Sequence, residues 1–155
     1  MTELLSADNF NVVPHLAALT VAYFLALPIG WNREKEERSA GLRTFPLVAV
    51  ASCGFVQAAE SLTGGSPEAL ARIVEGIITG MGFIGGGAIL KVRDSVRGTA
   101  TAASLWVTGA IGVSVGLGSL DVAVMLMVAA FVTLVVLSPL KRRVEHETIE
   151  PRAVE

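Results

Sequence analysis

The chain has 155 residues, of which 52% are hydrophobic and only 17% are charged, and its formal net charge is −2. A mean hydropathy of +0.63 and long apolar runs indicate a membrane protein, and the near-neutral charge balance gives no basis for nucleic-acid binding. The single cysteine, Cys53, excludes an internal disulfide and has no metal-ligand spacing around it. The acidic start, with Glu3 and Asp8, lacks the basic region of a secretory signal, so we expect no cleavage.

Five apolar stretches follow one another along the chain, each long enough to cross a bilayer as a helix. The predicted spans cover about 13–31, 45–62, 69–90, 99–117 and 120–140. Ser66, Pro67 and Glu68 form a helix start before the third span, with an N-cap, a first-turn proline and a carboxylate that matches the helix dipole. The sequence therefore predicts an all-α transmembrane bundle of about five helices over 1–140 and a short charged cytoplasmic tail over 141–155.

The basic residues predict the orientation, because short loops rich in lysine and arginine stay in the cytoplasm. Four basic residues follow the first span, three lie between the third and fourth spans, and four follow the fifth. Arg72 alone falls on the other side. We therefore expect the amino terminus outside the cell and the carboxyl terminus in the cytoplasm.

The third span is unusually rich in glycine for an apolar helix. Glycine destabilises a helix interior by about 0.5–1 kcal/mol relative to alanine, so we expect these glycines to allow close helix packing. The span should be the central post of the bundle, and its second small-residue face indicates a homodimer or larger assembly. Alternatively, the segment 85–87 unwinds and exposes carbonyl groups to an ion. The predicted packing positions are Gly76, Gly80, Gly82, Gly86 and Gly87.

The fourth span has a face of small and hydroxyl-bearing residues. Thr101, Ser104, Thr108 and Gly112 recur at helical spacing, and we expect them to meet the third span. Hydroxyl groups would then bond across helices for roughly 0.6 kcal/mol each. The alternative is a polar lining of a permeation path. Trp106 lies on the other side of the helix, where its indole N–H needs a partner in the bundle or across a dimer contact.

Glu75 lies well inside a span, which makes it the candidate metal ligand. Arg72 lies one turn earlier and offers a plain salt bridge instead, which we prefer. No set of nucleophile, base and orienting residue is placed together, and no cofactor motif survives within a membrane span. We therefore expect no enzyme, no catalytic residues and no bound cofactor.

A charged cluster is predicted where the second and fourth spans begin. Two helix N-termini and two arginines would bind an anion such as a phosphate there. We prefer the alternative that a carboxylate of the same chain, Glu34 or Glu37, occupies the cluster and locks the loops. Arg33 with Glu37 and Glu34 with Arg38 are also spaced for ion pairs on a helix that leaves the bilayer. The cluster comprises Arg33, Glu34, Glu37, Arg38, Arg43, Thr44, Arg97 and Thr99.

Five motifs, in this order, resemble the MgtC/SapB family of bacterial inner-membrane proteins. They are Gly30-Trp-Asn-Arg-Glu34, Ala40-Gly-Leu-Arg-Thr44, Gly80-Met-Gly-Phe-Ile-Gly-Gly-Gly87, Val96-Arg-Gly98 and Thr101-Ala-Ala-Ser-Leu-Trp106. The resemblance implies about five helices in the plasma membrane. It also implies a link to magnesium homeostasis, to growth in low magnesium and to the intracellular survival of pathogens. Two departures are the absence of the soluble carboxyl-terminal domain known in the family and Gly76, where glutamine is common.

The resemblance leaves two functions open. The first, which we favour, is a non-enzymatic factor in magnesium homeostasis or stress adaptation that acts on a membrane partner such as the proton ATP synthase or a transporter. The second is an oligomeric transporter or channel for Mg²⁺ or another ion. Mg²⁺ requires several oxygen ligands, and one subunit offers few within the membrane. The resemblance makes Mg²⁺ the first candidate for the transported or sensed ion, and another ion stays open.

Overall fold

The helices follow the predicted order in the computed structural model, which describes residues 12–36, 40–64, 66–92 and 95–149. The elements are α1 (Val12–Lys35), α2 (Thr44–Thr63), α3 (Pro67–Gly87), β1 (Leu90–Val92), β2 (Ser95–Arg97), α4 (Thr99–Gly116) and α5 (Leu120–Ile149). In this part of the chain, five helices are long and apolar enough to cross a membrane. The predicted all-α fold is confirmed. Glu37 and Arg38, and with them the predicted ion pairs to Arg33 and Glu34, lie outside the described residues.

The start of α3 has the predicted cap. The Ser66 hydroxyl accepts a hydrogen bond from the Ala69 N–H at 3.4 Å, and Pro67 occupies the first turn. Such a cap satisfies one of the N–H groups that have no partner within a helix. At the other end, α3 stops three residues before the predicted limit, whereas α5 continues to Ile149 and includes residues 141–149 of the predicted tail.

A β-hairpin connects α3 to α4, which the sequence analysis missed. Leu90 pairs with Arg97 and Lys91 with Val96 in an antiparallel register. Gly98 follows with φ of 91°, a left-handed conformation that glycine adopts without strain. A Cβ atom added to Gly98 would also overlap the carbonyl oxygen of Ala88. Gly98 therefore allows the chain to turn sharply from the hairpin into α4.

The central helix is α4, so the prediction that α3 is the central post is wrong. Helix α4 contacts each of the other four helices. It buries ten residues, whereas α3 buries only Met81 and Gly85. Both lie against α4, where Met81 contacts Gly109 and Gly85 lies beside Ala102. Glycine content alone did not distinguish a helix that is enclosed by its own chain from one at the edge.

The glycines of α4 allow its closest approach to a neighbour. A Cβ atom added to Gly112 would overlap the carbonyl oxygen of Ala49 in α2, and one added to Gly116 would lie 2.8 Å from Val56 Cβ. The small-residue face of α4 therefore meets α2 at Gly112, and the expectation that it meets α3 there is wrong. Such backbone contact is how small residues stabilise helix pairs in lipid.

The hydroxyl groups of α4 bond within their own helix. The Ser104 hydroxyl donates to the Ala100 carbonyl at 2.6 Å, and the Thr108 hydroxyl donates to the Ser104 carbonyl at 2.8 Å. The predicted hydrogen bonds across helices are therefore wrong for these two residues. A carbonyl four residues earlier is always within reach on a helix, so the hydroxyl is satisfied without a partner on another helix. Thr101 is also buried.

Candidate functional site

Glu34 closes the corner between α1 and α2. Its Oε2 atom accepts a hydrogen bond from the Leu42 N–H at 3.0 Å. Its carboxylate also fills the space beside Gly41, where an added Cβ atom would overlap it. A carboxylate of the same chain thus stabilises the loop through the Leu42 N–H, whereas the alternative preferred above placed it among the arginines of the cluster. Arg33, only 3% exposed, packs into the same corner and donates from Nε to Asn32 Oδ1 at 3.2 Å.

The amino-terminal end of α2 has few donors left for an anion. The N–H groups of Thr44 and Phe45 both donate to the Gly41 carbonyl, at 3.0 and 3.2 Å. Pro46 has no N–H to offer. Arg43 is exposed beside this end. The helix terminus is therefore occupied by its own chain, and its contribution to the predicted anion site is correspondingly small.

The first residues of α2 and α4 do not lie at one level. Ala49 of α2 lies against Gly112 of α4. Thr44 starts α2 five residues before Ala49, whereas Thr99 starts α4 thirteen residues before Gly112. At 1.5 Å per residue, α4 therefore begins about 12 Å beyond α2 along the bundle. The structure thus does not place the two helix ends, with Arg43 and Arg97, around one anion.

Glu75 and Arg72 are both exposed on α3. They do not form the ion pair that the sequence analysis preferred, and neither has an ion-pair partner within the part of the chain that the structure describes. Among the described residues, no group of three His, Cys, Asp or Glu side chains is placed to hold a metal ion.

The exposed side of α3 contains the residues that the sequence analysis assigned to packing. An added Cβ atom at Gly76, Gly80, Gly82, Gly86 or Gly87 would meet no atom within 4 Å. The predicted packing of these five glycines is therefore not formed within one chain. The glycine of α3 that does pack is Gly85, whose added Cβ would lie 3.4 Å from the Ala102 carbonyl oxygen.

The segment 85–87 is helical, and the carbonyl groups of its first two residues accept hydrogen bonds. The carbonyls of Gly85 and Gly86 accept hydrogen bonds from the N–H groups of Ala88 and Ile89, each at 3.1 Å. These bonds close the last turn of α3 and satisfy carbonyls that a helix end otherwise leaves free. The structure therefore does not show the unwound segment that was considered as an ion site.

Five residues of α3 form a continuous surface, which we call the α3 outer face. They are Arg72, Glu75, Thr79, Gly82 and Gly86, all of them exposed. Their spacings of three, four, three and four residues match the repeat with which one helix packs along another. The sequence contains this spacing, but it becomes visible only when the charged residues and the glycines of α3 are considered together.

A groove of about 990 Å³ separates α2 from α3. Its walls are mostly apolar and include Phe55 and Ile77, and Arg43 lies at one end. Trp106 is half exposed and lines a smaller cavity of about 140 Å³ with Ile78 of α3. It lies on the other side of α4 from Thr101 and Thr108, as expected, but that side is the one that faces α3. No pattern in the sequence indicates this groove, because the spacing between helices depends on the whole bundle.

Comparison with known proteins agrees with this fold. The MgtC family matches over residues 19–143. Protein SrpB of Synechococcus elongatus is 38% identical over 80% of this chain and 73% of its own length. An uncharacterized Synechocystis protein is 36% identical over 90% of this chain and 59% of its own. Protein MgtC of Salmonella typhimurium is 40% identical over 72% of this chain and 47% of its own. No solved structure matches the chain.

Five apolar helices and these relatives define a multi-pass membrane protein. The match covers most of the chain, at identities of 36–40% to the three relatives above. The chain belongs to the MgtC family. It spans about half the length of the Salmonella protein and about three fifths of the Synechocystis protein.

Proposed function

We propose that this chain is a non-enzymatic inner-membrane factor in magnesium homeostasis that acts through helix contacts on another membrane protein. Membership of the MgtC family supports the link to magnesium. The observation that favours action through contacts is the mostly apolar groove between α2 and α3, which an apolar helix of another protein would fill. Gly76 and Gly80 line this groove, and residues this small allow another helix to approach closely.

Growth in low magnesium tests this proposal. The full chain is expressed in a bacterium that lacks its own MgtC-family protein and grows poorly at low magnesium concentration. We expect the chain to restore growth there and to leave growth at high magnesium unchanged. Equal expression of the protein, measured in isolated membranes, is the control. A properly inserted protein that restores no growth contradicts a role in magnesium homeostasis.

A transporter is the second candidate, because Glu75 lies within a helix that is long enough to cross the membrane and has no ion-pair partner among the described residues. Several copies could place their Glu75 carboxylates around one ion, and carboxylates are ligands that Mg²⁺ accepts. The regulator has the stronger support, because it needs one groove that is already formed, whereas transport needs several copies to bring their Glu75 carboxylates together.

Flux into proteoliposomes separates the two candidates. For a regulator, Mg²⁺ uptake by vesicles with purified protein equals uptake by protein-free vesicles, and Glu75→Gln changes nothing. Saturable uptake that Glu75→Gln abolishes would replace the regulator with the transporter. Glu60→Gln, an exposed carboxylate on α2, is the matched control for the loss of one negative charge.

A further inference from the structure

The α3 outer face is unsuited to lipid. The other edge helix, α5, exposes Val124, Val128 and Val132, with 44–49% of each side chain accessible. These are residues that hydrocarbon chains solvate well. Helix α3 also exposes apolar side chains such as Phe83 and Ile84, but its outer face consists of charged, hydroxyl-bearing and glycine residues. The two edge helices therefore require different surroundings within the same membrane.

The position of Glu75 makes lipid contact costly. Glu75 lies eight residues after Pro67, the first residue of α3, which at 1.5 Å per residue is about 12 Å along a helix that is roughly as long as the bilayer core is thick. A carboxylate at that depth needs a partner that supplies positive charge or hydrogen bonds. The described residues of the chain supply no ion-pair partner for Glu75.

A second copy of the chain supplies a positively charged partner for Glu75 and a helix that covers the α3 outer face. We propose that α3 packs in parallel against α3 of a second copy, about a two-fold axis perpendicular to the membrane. Gly82 and Gly86 then allow the two backbones to approach, and Arg72 of each copy pairs with the partner's Glu75. The proposal concerns assembly and does not depend on the magnesium role.

Charge and spacing both favour a second copy. In a two-fold contact, if residue i meets residue j, then j also meets i, so a face with one arginine and one carboxylate is complementary to itself. Arg72 and Glu75 are three residues apart, which is about 4.5 Å along the axis and within reach of an arginine side chain. The spacing of three and four residues along the outer face is the geometry of near-parallel helix pairs.

Charge reversal tests the pairing. The fraction of dimer is measured in liposomes by single-molecule photobleaching of the full, labelled chain over a range of protein-to-lipid ratios. We expect Arg72→Glu and Glu75→Arg each to raise the dissociation constant about tenfold, because each replaces two symmetry-related attractions with repulsions. The double variant, with both changes, restores the dimer. Glu60→Arg, a charge reversal on α2, leaves it unchanged.

A cross-linking experiment keeps the proposal falsifiable if a charge variant does not fold. Buried Cys53 is replaced by serine, and a single cysteine is introduced as Gly82→Cys or, on the exposed side of α5, as Ala129→Cys. Mild oxidation in membranes should yield a disulfide-linked dimer for Gly82→Cys and little for Ala129→Cys. Equal yields, a link to a different protein alone, or a double charge variant no better than the single variants would overturn the proposal.

Discussion

Helices α3 and α4 are both rich in glycine, yet their glycines lie in opposite surroundings. In α4, Gly109, Gly112 and Gly116 contact side chains or backbone of neighbouring helices at distances too short for an added Cβ atom. In α3, Gly82 and Gly86 meet nothing within 4 Å. The first set allows one chain to pack its own helices. The second set leaves space that another molecule can fill. The same residue type therefore allows packing within one chain in α4 and packing between molecules in α3.

The largest expected effect is on the stability of the fold, and it distinguishes the glycines of α4 from those of α3. Gly112→Ala places a Cβ atom against the α2 backbone and should destabilise the fold by about 3 kcal/mol, because neither backbone can move without separating the helices. Thermal unfolding of the detergent-solubilised protein measures this. Gly82→Ala is the matched control and should not lower the unfolding temperature. Similar losses in both variants would remove the distinction between enclosed and open glycines.

Two carboxylates, Glu34 and Glu75, differ in the same way, and removing them should change the unfolding free energy by an intermediate amount. Glu34→Ala removes the acceptor of the Leu42 N–H and should cost about 1–2 kcal/mol of unfolding free energy. Glu75→Ala should cost less in the monomer, because the described chain gives Glu75 no ion-pair partner. Denaturation in mixed micelles, at dilutions where the protein is monomeric, compares the two. A larger loss for Glu75→Ala would show that its carboxylate has a partner within the chain.

The smallest expected effect is a gain in stability. Gly86→Ala should stabilise the monomer by about 0.5–1 kcal/mol, because alanine favours the helix and its methyl group enters open space. The same change should weaken the proposed dimer by separating the two backbones. Unfolding of the monomer and the dimer fraction in liposomes are therefore measured on one variant. A monomer that is destabilised instead would indicate a contact of Gly86 within the chain.

Local features of the fold could be predicted from the sequence, because they depend on neighbouring residues. The five apolar runs and the cap at Ser66 are examples. The central position of α4 could not be predicted. Gly-x-x-x-Gly spacing indicates that another helix can approach closely, but it does not identify that helix. The hairpin was missed because two strands of three residues carry little periodic signal between two long helices.

The charged cluster was predicted in part for a similar reason. The preference for an internal carboxylate followed from residue types, and Glu34 does bond to the Leu42 N–H. The relative height of the starts of α2 and α4 depends instead on where Gly112 meets Ala49, which is a contact between distant parts of the chain. Only the three-dimensional arrangement shows that two positive helix ends are separated along the bundle.

The groove between α2 and α3 has a mechanical consequence. Since the two buried residues of α3, Met81 and Gly85, both lie against α4, the helix is anchored along one edge and has a gap of about 990 Å³ on another side. The side of α3 that faces α2 therefore borders open space, whereas the side that faces α4 is closely packed, so we expect α3 to shift more easily relative to α2 than relative to α4.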